Sequence, residues 1–434
     1  MSRLFDLPDE EFAARRARVF EAIEPNACAL VAGAPALGAY ALFRQTNEFF
    51  YCCGVETPGA YLLLDAAART ATIFVPDTNR VAGNDFGVDA VLRVTTLGDA
   101  LEAAKVVYTP HAPAENVFAA RDVLVWANAE AAKDPWNNRA SCEQSLVALL
   151  RARFPHPEVR DLSPILDDLR LIKSEHEIGL MRRAGKLSAL AVTEAMKRTH
   201  PGLRENDLHA VALFLYQAAG ARGEGYRAIL PSGTERISDI HYFANDGPLN
   251  DGDLVLMDTA PDVGYYTSDI SRMWPVNGTY DPVQRELYGF VVAFHKQLLA
   301  HIRPGVPAEQ VFEEASTATL PLLERTQFSK PIYRFAARRV LDFKISLSHP
   351  VGMAVHDVGD YWRGMLRPGM VFTADPQLWV PEEKLYIRVE DTILVTQTGV
   401  EVLTGDAPLD LDDVEATMRA PSAFDDFPAG ELFA

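Results

Sequence analysis

Apolar positions fall into two textures along the 434-residue chain. As far as residue 165 they form short runs bounded by turn residues, at 27–32, 60–64, 71–75, 106–108 and 123–127, which predict β-strands. Helical spacing predicts a surface helix over 10–23 and helical stretches at 119–121 and 142–153. Strands and helices interleaved in this way describe an N-terminal α/β domain, residues 1–165. Within it, the aromatic patch 43–54 reads as core closed by a turn at Gly54, with Cys52 and Cys53 as strand residues.

Beyond residue 161 the spacing is that of long amphipathic helices. Ser174 followed three residues later by Glu177 is a capping-box pattern and starts the first of them. Further helices are predicted over 205–220, 282–303 and 308–324, and strands over 342–348, 370–374 and 385–396. The segment 155–164 marks the boundary to a second domain, residues 166–434, which closes with an acidic tail from 406 whose last residues are expected to be mobile. The whole is a two-domain α/β and α+β protein.

The second domain contains the hairpin 254–272, two apolar runs around a Pro-Asp-Val-Gly turn, each run carrying one carboxylate. With Val263-Gly264 as the two-residue loop, Asp258 faces Asp269, and carboxylates roughly 5 Å apart repel unless a proton or cation lies between them. Strand alternation puts Tyr386, Arg388, Glu390 and Thr392 on one face of their run and Asp391 on the other. Asp375 stands at a strand end before Pro376, and His349 and His356 bracket one loop. Each residue alone reads equally as a cap, a salt bridge or a core histidine. Together, one imidazole and four carboxylates form a hard oxygen environment suited to Mn²⁺ or comparable divalent ions, rich enough for two. Paired metals generate a hydroxide nucleophile at neutral pH, so hydrolysis is the chemistry implied.

Composition narrows the partners. A formal charge of -19 argues against nucleic acid and anionic membranes. No run approaches the roughly 18 apolar residues of a membrane span, and a cytoplasmic location is expected. The four cysteines, without metal-type spacing, read as reduced and structural.

The series Asp258, Asp269, His349, Asp375 and Glu390, with Ile-Arg-Val-Glu-Asp around the last, resembles the ligand series of the pita-bread metallopeptidases. Within them the chain looks most like the Xaa-Pro aminopeptidases: His-Asp-Val-Gly at 356–359, His241 ahead of Asp258, and Arg-Gln-Thr-Asn-Glu-Phe-Phe-Tyr at 44–51 resemble stretches of those enzymes. The resemblance implies a C-terminal pita-bread domain holding two divalent metals, manganese first with zinc or cobalt as alternatives. It further implies hydrolysis of the N-terminal Xaa-Pro bond of proline-containing peptides by a homodimer or homotetramer. Asp258, Asp269, His349, Asp375 and Glu390 would be the ligands, Asp375 also the proton shuttle. His241 and His356 would line the substrate site, and Arg388 would lie near the scissile bond or orient Glu390. There are two departures: Asp375 stands where these enzymes normally have Glu, and Ile345 where they often have histidine. The alternatives are an Xaa-Pro dipeptidase and a non-catalytic peptide- or protein-binding module.

Overall fold

The computed structural model describes residues 7–425 except 37, 39, 41, 78–86, 117, 137–139 and 155–156. The expected mobile end of the tail lies outside the described residues beyond 425. The chain divides into two compact units: Met1–Arg170 with His356–Gly359, and Leu171–Val355 with Asp360–Ala434.

In the first unit, strands β1 (Cys28–Ala32), β2 (Tyr61–Asp65), β3 (Thr70–Val75), β4 (Ala90–Arg93), β5 (Val106–Thr109) and β6 (Glu158–Asp161) form one sheet in the order β4-β3-β2-β1-β5-β6. The β1–β2–β3 meander is antiparallel; β3–β4, β1–β5 and β5–β6 are parallel. Around it run α1 (Asp9–Ala22), α2 (Asn47–Cys53), α3 (Leu97–Glu102), α4 (Arg121–Ala131), α5 (Cys142–Arg153) and α6 (Ser163–Leu171). Leu30, Leu63, Phe74, Val107 and Leu150 make a core between the sheet and its helices.

Three sequence expectations change here. The run 123–127 is the middle of α4, where Val123, Val125 and Trp126 are exposed; a short apolar run without alternation cannot separate helix from strand. Cys52 and Cys53 are helical, on α2, which Gly54 ends in a left-handed conformation (φ 67°). Part of the expected boundary segment is β6, paired to β5 along Glu158–Asp161. All four cysteines are free thiols, as read.

The second unit opens with α7 (Glu175–Arg198), capped as expected by Ser174 and Glu177, and α8 (Glu205–Ala218). Then follow the short α9 (Thr234–Ile237), α10 (Pro282–His301), α11 (Ala308–Arg325), α12 (Pro331–Val340) and α13 (Leu411–Met418). Strands β7 (Leu254–Asp258), β8 (Ile270–Pro275), β9 (Leu347–Pro350), β10 (Val371–Ala374), β13 (Glu390–Val395) and β14 (Val400–Val402) build an antiparallel sheet, β7-β8-β13-β10-β9, with β14 on β13. β11 (Gln377–Val380) and β12 (Leu385–Arg388) form a separate two-stranded ribbon. The predicted strand 385–396 is therefore two strands, β12 and β13, in different sheets with Val389 between them. The acidic tail is docked as far as it is described: Arg285 pairs with Asp412 (2.9 Å) and Glu415 (2.6 Å), and Lys296 with Asp410.

The hairpin register also differs from expectation. Val263 pairs with Tyr266, so the two-residue turn is Gly264-Tyr265, both in the left-handed region (φ 63° and 73°), as a type I′ turn requires. Tyr265 tolerates this because its ring is buried and its N–H donates to Asp262 Oδ1 at 2.9 Å. Asp258 consequently pairs with Ser271, not Asp269. Moving the turn centre by one residue shifts the pairing by two, which preserves the face; the two aspartates are diagonal neighbours.

Candidate active site

One row of side chains crosses the second unit's sheet. Asp258 pairs with Ser271 and Ser271 with Glu390, while Asp375 follows Ala374, the partner of Asp391. Asp258 and Ser271 from the hairpin thus come together on one face with Asp375 and Glu390 from a stretch more than a hundred residues later, and Asp269 lies two residues along from Ser271 on that face. All four carboxylates are buried. The alternation read around Glu390 holds: Asp391 points the other way, to Arg272 (2.8 Å) and His295 (2.8 Å), which is a structural pairing.

His349 lies near the end of β9, one residue before Pro350. Its Nε2 stands 3.4 Å from Asp269 Oδ2 and 3.7 Å from Glu390 Oε1. Ligand atoms of Asp269, His349 and Glu390 all lie within 4.8 Å of one another. Glu390 Oε1 is buried and accepts no hydrogen bond from the described residues.

Arg388 binds three of the carboxylates at once: Nη1 to Asp258 Oδ2 at 2.6 Å, Nε to Asp375 Oδ1 at 2.8 Å, and Nη2 to Glu390 Oε2 at 2.6 Å. The ribbon explains its placement, because Arg388 pairs across it with Gln377, whose amide donates to Asp375 Oδ2 at 2.6 Å.

Tyr226, which no sequence pattern indicated, completes the cluster. Its hydroxyl is 2.5 Å from Asp258 Oδ1 and 2.7 Å from Asp269 Oδ1. It comes from the turn-rich segment after α8, which runs beside β7 through bridges at Glu224–Pro261 and Ile229–Asp258. Gly225 permits the approach: a Cβ there would meet Thr267 Cβ at 2.8 Å and Pro261 O at 3.0 Å.

Burial pushes the Asp269 and Glu390 carboxyls well above the usual range, Asp258 adding to the effect on Asp269 and Asp269 to that on Glu390. Burial also raises Asp375, against the pull of Arg388. Burial alone would lower Arg388, but Asp375 and then Glu390 hold it well above its ordinary value, so it stays charged. Burial, with Asp258 and Asp269, keeps Tyr226 a neutral phenol. A phenol has one proton, so its two short contacts leave one Asp–Tyr pair to be joined by a second proton. Four carboxylates against one guanidinium, with a buried carboxylate oxygen left without a donor, fit a divalent cation.

The remaining predicted residues are placed differently. His241 is exposed after α9, stacked on Phe243 with centroids 5.9 Å apart. His356 belongs to the first unit, its Nδ1 2.7 Å from Asp122 Oδ2. The adjacent Asp357 is bound by the buried Arg170, which also holds Glu115 at 2.5 Å. Ile345 is exposed.

Comparison with known proteins gives this arrangement its family. Residues 179–397 match the model of metallopeptidase family M24, and residues 12–106 that of the aminopeptidase P N-terminal domain. The chain is 32% identical to the Xaa-Pro aminopeptidase of Escherichia coli, over 96% of this chain and 99% of that one. Among solved structures it is similar to proline aminopeptidase P II from Yersinia pestis (TM-score 0.75, 30% identity, 95% and 99% of the two chains covered). It is also similar to Zn-substituted E. coli aminopeptidase P in complex with product (TM-score 0.74, 30% identity, 95% and 98%). The second unit is a pita-bread domain, and the chain belongs to metallopeptidase family M24.

Proposed function

We propose that this protein is a metal-dependent aminopeptidase that releases the N-terminal residue from peptides with proline in second position. The convergence of Asp269, His349 and Glu390, in a chain aligned end to end with Xaa-Pro aminopeptidases, carries this conclusion. Asp258, Asp269, His349, Asp375 and Glu390 would hold two divalent ions, manganese first, with zinc or cobalt as alternatives. Bound there, such ions supply a water acidic enough to attack at neutral pH and a Lewis acid for the scissile carbonyl.

The chain's own groups do the rest. Asp375, its carboxyl raised by burial, takes the proton of the attacking water and returns it to the leaving proline nitrogen. Arg388 fixes Asp375 against Asp258 and Glu390. By the family resemblance His241 and His356 contact substrate, His356 at the developing oxyanion. The same resemblance supports a dimer or tetramer.

The test is turnover by Mn²⁺-loaded protein of an Xaa-Pro-Yaa tripeptide beside an Xaa-Pro dipeptide, with metal content by elemental analysis. Preference for the tripeptide is expected. Preference for the dipeptide would make the protein a prolidase, and finding neither bound metal after loading nor turnover of either peptide would refute the proposal.

A further inference from the structure

The strip that carries Tyr226 also holds an exposed aromatic loop in place. Asn245, buried and left-handed (φ 52°), is the anchor: its Oδ1 accepts the Leu230 N–H at 2.9 Å and its Nδ2 donates to Ala228 O at 2.8 Å. Asparagine is among the few side chains that adopt this backbone region readily. Arg227, the residue after Tyr226, donates from Nη2 to Phe243 O at 3.4 Å. The loop 240–245 is thereby strapped beside the phenol that touches Asp258 and Asp269. On this loop Ile240, His241 and Phe243 are all exposed, Phe243 by 46%. The His241 and Phe243 rings lie nearly parallel, 16° apart.

We propose that His241 and Phe243 form a specificity platform for the residue that follows proline in the substrate, favouring an aromatic side chain there. This rests on the aminopeptidase reading and goes beyond it by assigning a preference to a third substrate position.

Burial sets that position. Asp258, Asp269 and Glu390 are buried, so the N-terminal residue, whose carbonyl must reach them, takes the interior end of the site. The residues after proline then run toward solvent, and the exposed rings beside Tyr226 are what they meet. A third ring gains most from offset-stacked or edge-to-face contact, and a stacked pair open to solvent offers both faces and edges. The Asn245 anchor fixes the loop before substrate arrives, so little ordering is lost on binding.

Steady-state kinetics of the Mn²⁺-loaded protein compare Xaa-Pro-Phe with Xaa-Pro-Gly at constant Xaa. A preference of about 3–10-fold in kcat/KM for the Phe peptide is expected, the worth of one aromatic contact, and it should reside in KM. Calorimetry of the product dipeptides gives a readout independent of turnover, with Pro-Phe binding more tightly than Pro-Gly by a similar factor. Phe243→Ala, at an exposed position, brings both ratios toward unity, whereas Phe243→Tyr, which keeps the ring, retains them. Equal kcat/KM for the two peptides in the wild type would overturn the inference. So would ratios unmoved by Phe243→Ala, including an equal loss on both peptides, which would place the ring at the Xaa-Pro pair instead. Either result with Xaa-Pro-Gly turnover intact would overturn this inference alone, whereas no bound metal and no turnover of either peptide would overturn the proposed function as well.

Discussion

Arg388 grips Asp375 through two contacts, Nε to Oδ1 at 2.8 Å and Nη2 to Oδ2 at 3.1 Å. This fork is possible because β11 and β12 pair Gln377 with Arg388, so both side chains reach the carboxylate that precedes the ribbon. Asp375 therefore fits a site built to its length, and this decides what lengthening it should do.

Asp375→Glu inserts a methylene into a position only 1% exposed. Overpacking at a buried site typically costs about 1–3 kcal/mol, and the longer side chain cannot keep both contacts to Arg388. The expected outcome is a lower Tm and Xaa-Pro turnover below wild type, read by calorimetry and steady-state kinetics. A sharp gain in activity would show that the site is not built around Asp.

Gly225→Ala is expected to destabilise the second unit by about 1–3 kcal/mol, since backbone or side chain must give way at Thr267 and Pro261. It should also move Tyr226 off the aspartates. Denaturant melts and the ultraviolet titration of the Tyr226 phenol, compared with Tyr226→Phe, check both parts.

Metal removal should lower the melting temperature. An ion that binds only the folded protein stabilises it by about 2.7 kcal/mol at one hundred times its dissociation constant. Mn²⁺ is expected to raise the Tm of the stripped wild type, and His349→Ala to abolish most of that gain.

Glu115 gives the first unit a pH dependence of its own. Burial, opposed by Arg170 and reinforced by Glu48, pushes its carboxyl from 4.5 up to about 7. A group with a raised folded pKa contributes stability that is fully present below its unfolded pKa and is lost as pH rises through the folded value. The stability of the stripped protein should accordingly fall between pH 4.5 and 7 by on the order of 1–3 kcal/mol. Glu115→Gln, neutral throughout, should flatten that slope in urea melts taken across the range.

Several features were legible in sequence because they rest on local rules. The capping box at Ser174 and Glu177 needs only neighbours three residues apart, and it forms as read. The strand alternation that joins Arg388 to Glu390 and sends Asp391 away survives even though Val389 breaks the run into two sheets, because the side-chain period carries across it. The error in the hairpin turn left both aspartates on the correct face for the same reason.

The chain by itself determined which residues carry the charges and, through periodicity, which face of each strand they share. Only the tertiary structure decided what fills the space between them. Tyr226 and Gln377 come from segments whose local pattern marks nothing but turns and a short strand. They matter because non-local pairing, β7 beside the 224–232 segment and β11 beside β12, brings a phenol and an amide within hydrogen-bonding distance of buried carboxylates. Periodicity records a residue's direction from its own backbone; it holds no information about which distant segment packs opposite. For that reason Asp258 and Asp269 could be placed on one face from sequence, while the hydroxyl that lies between them could not.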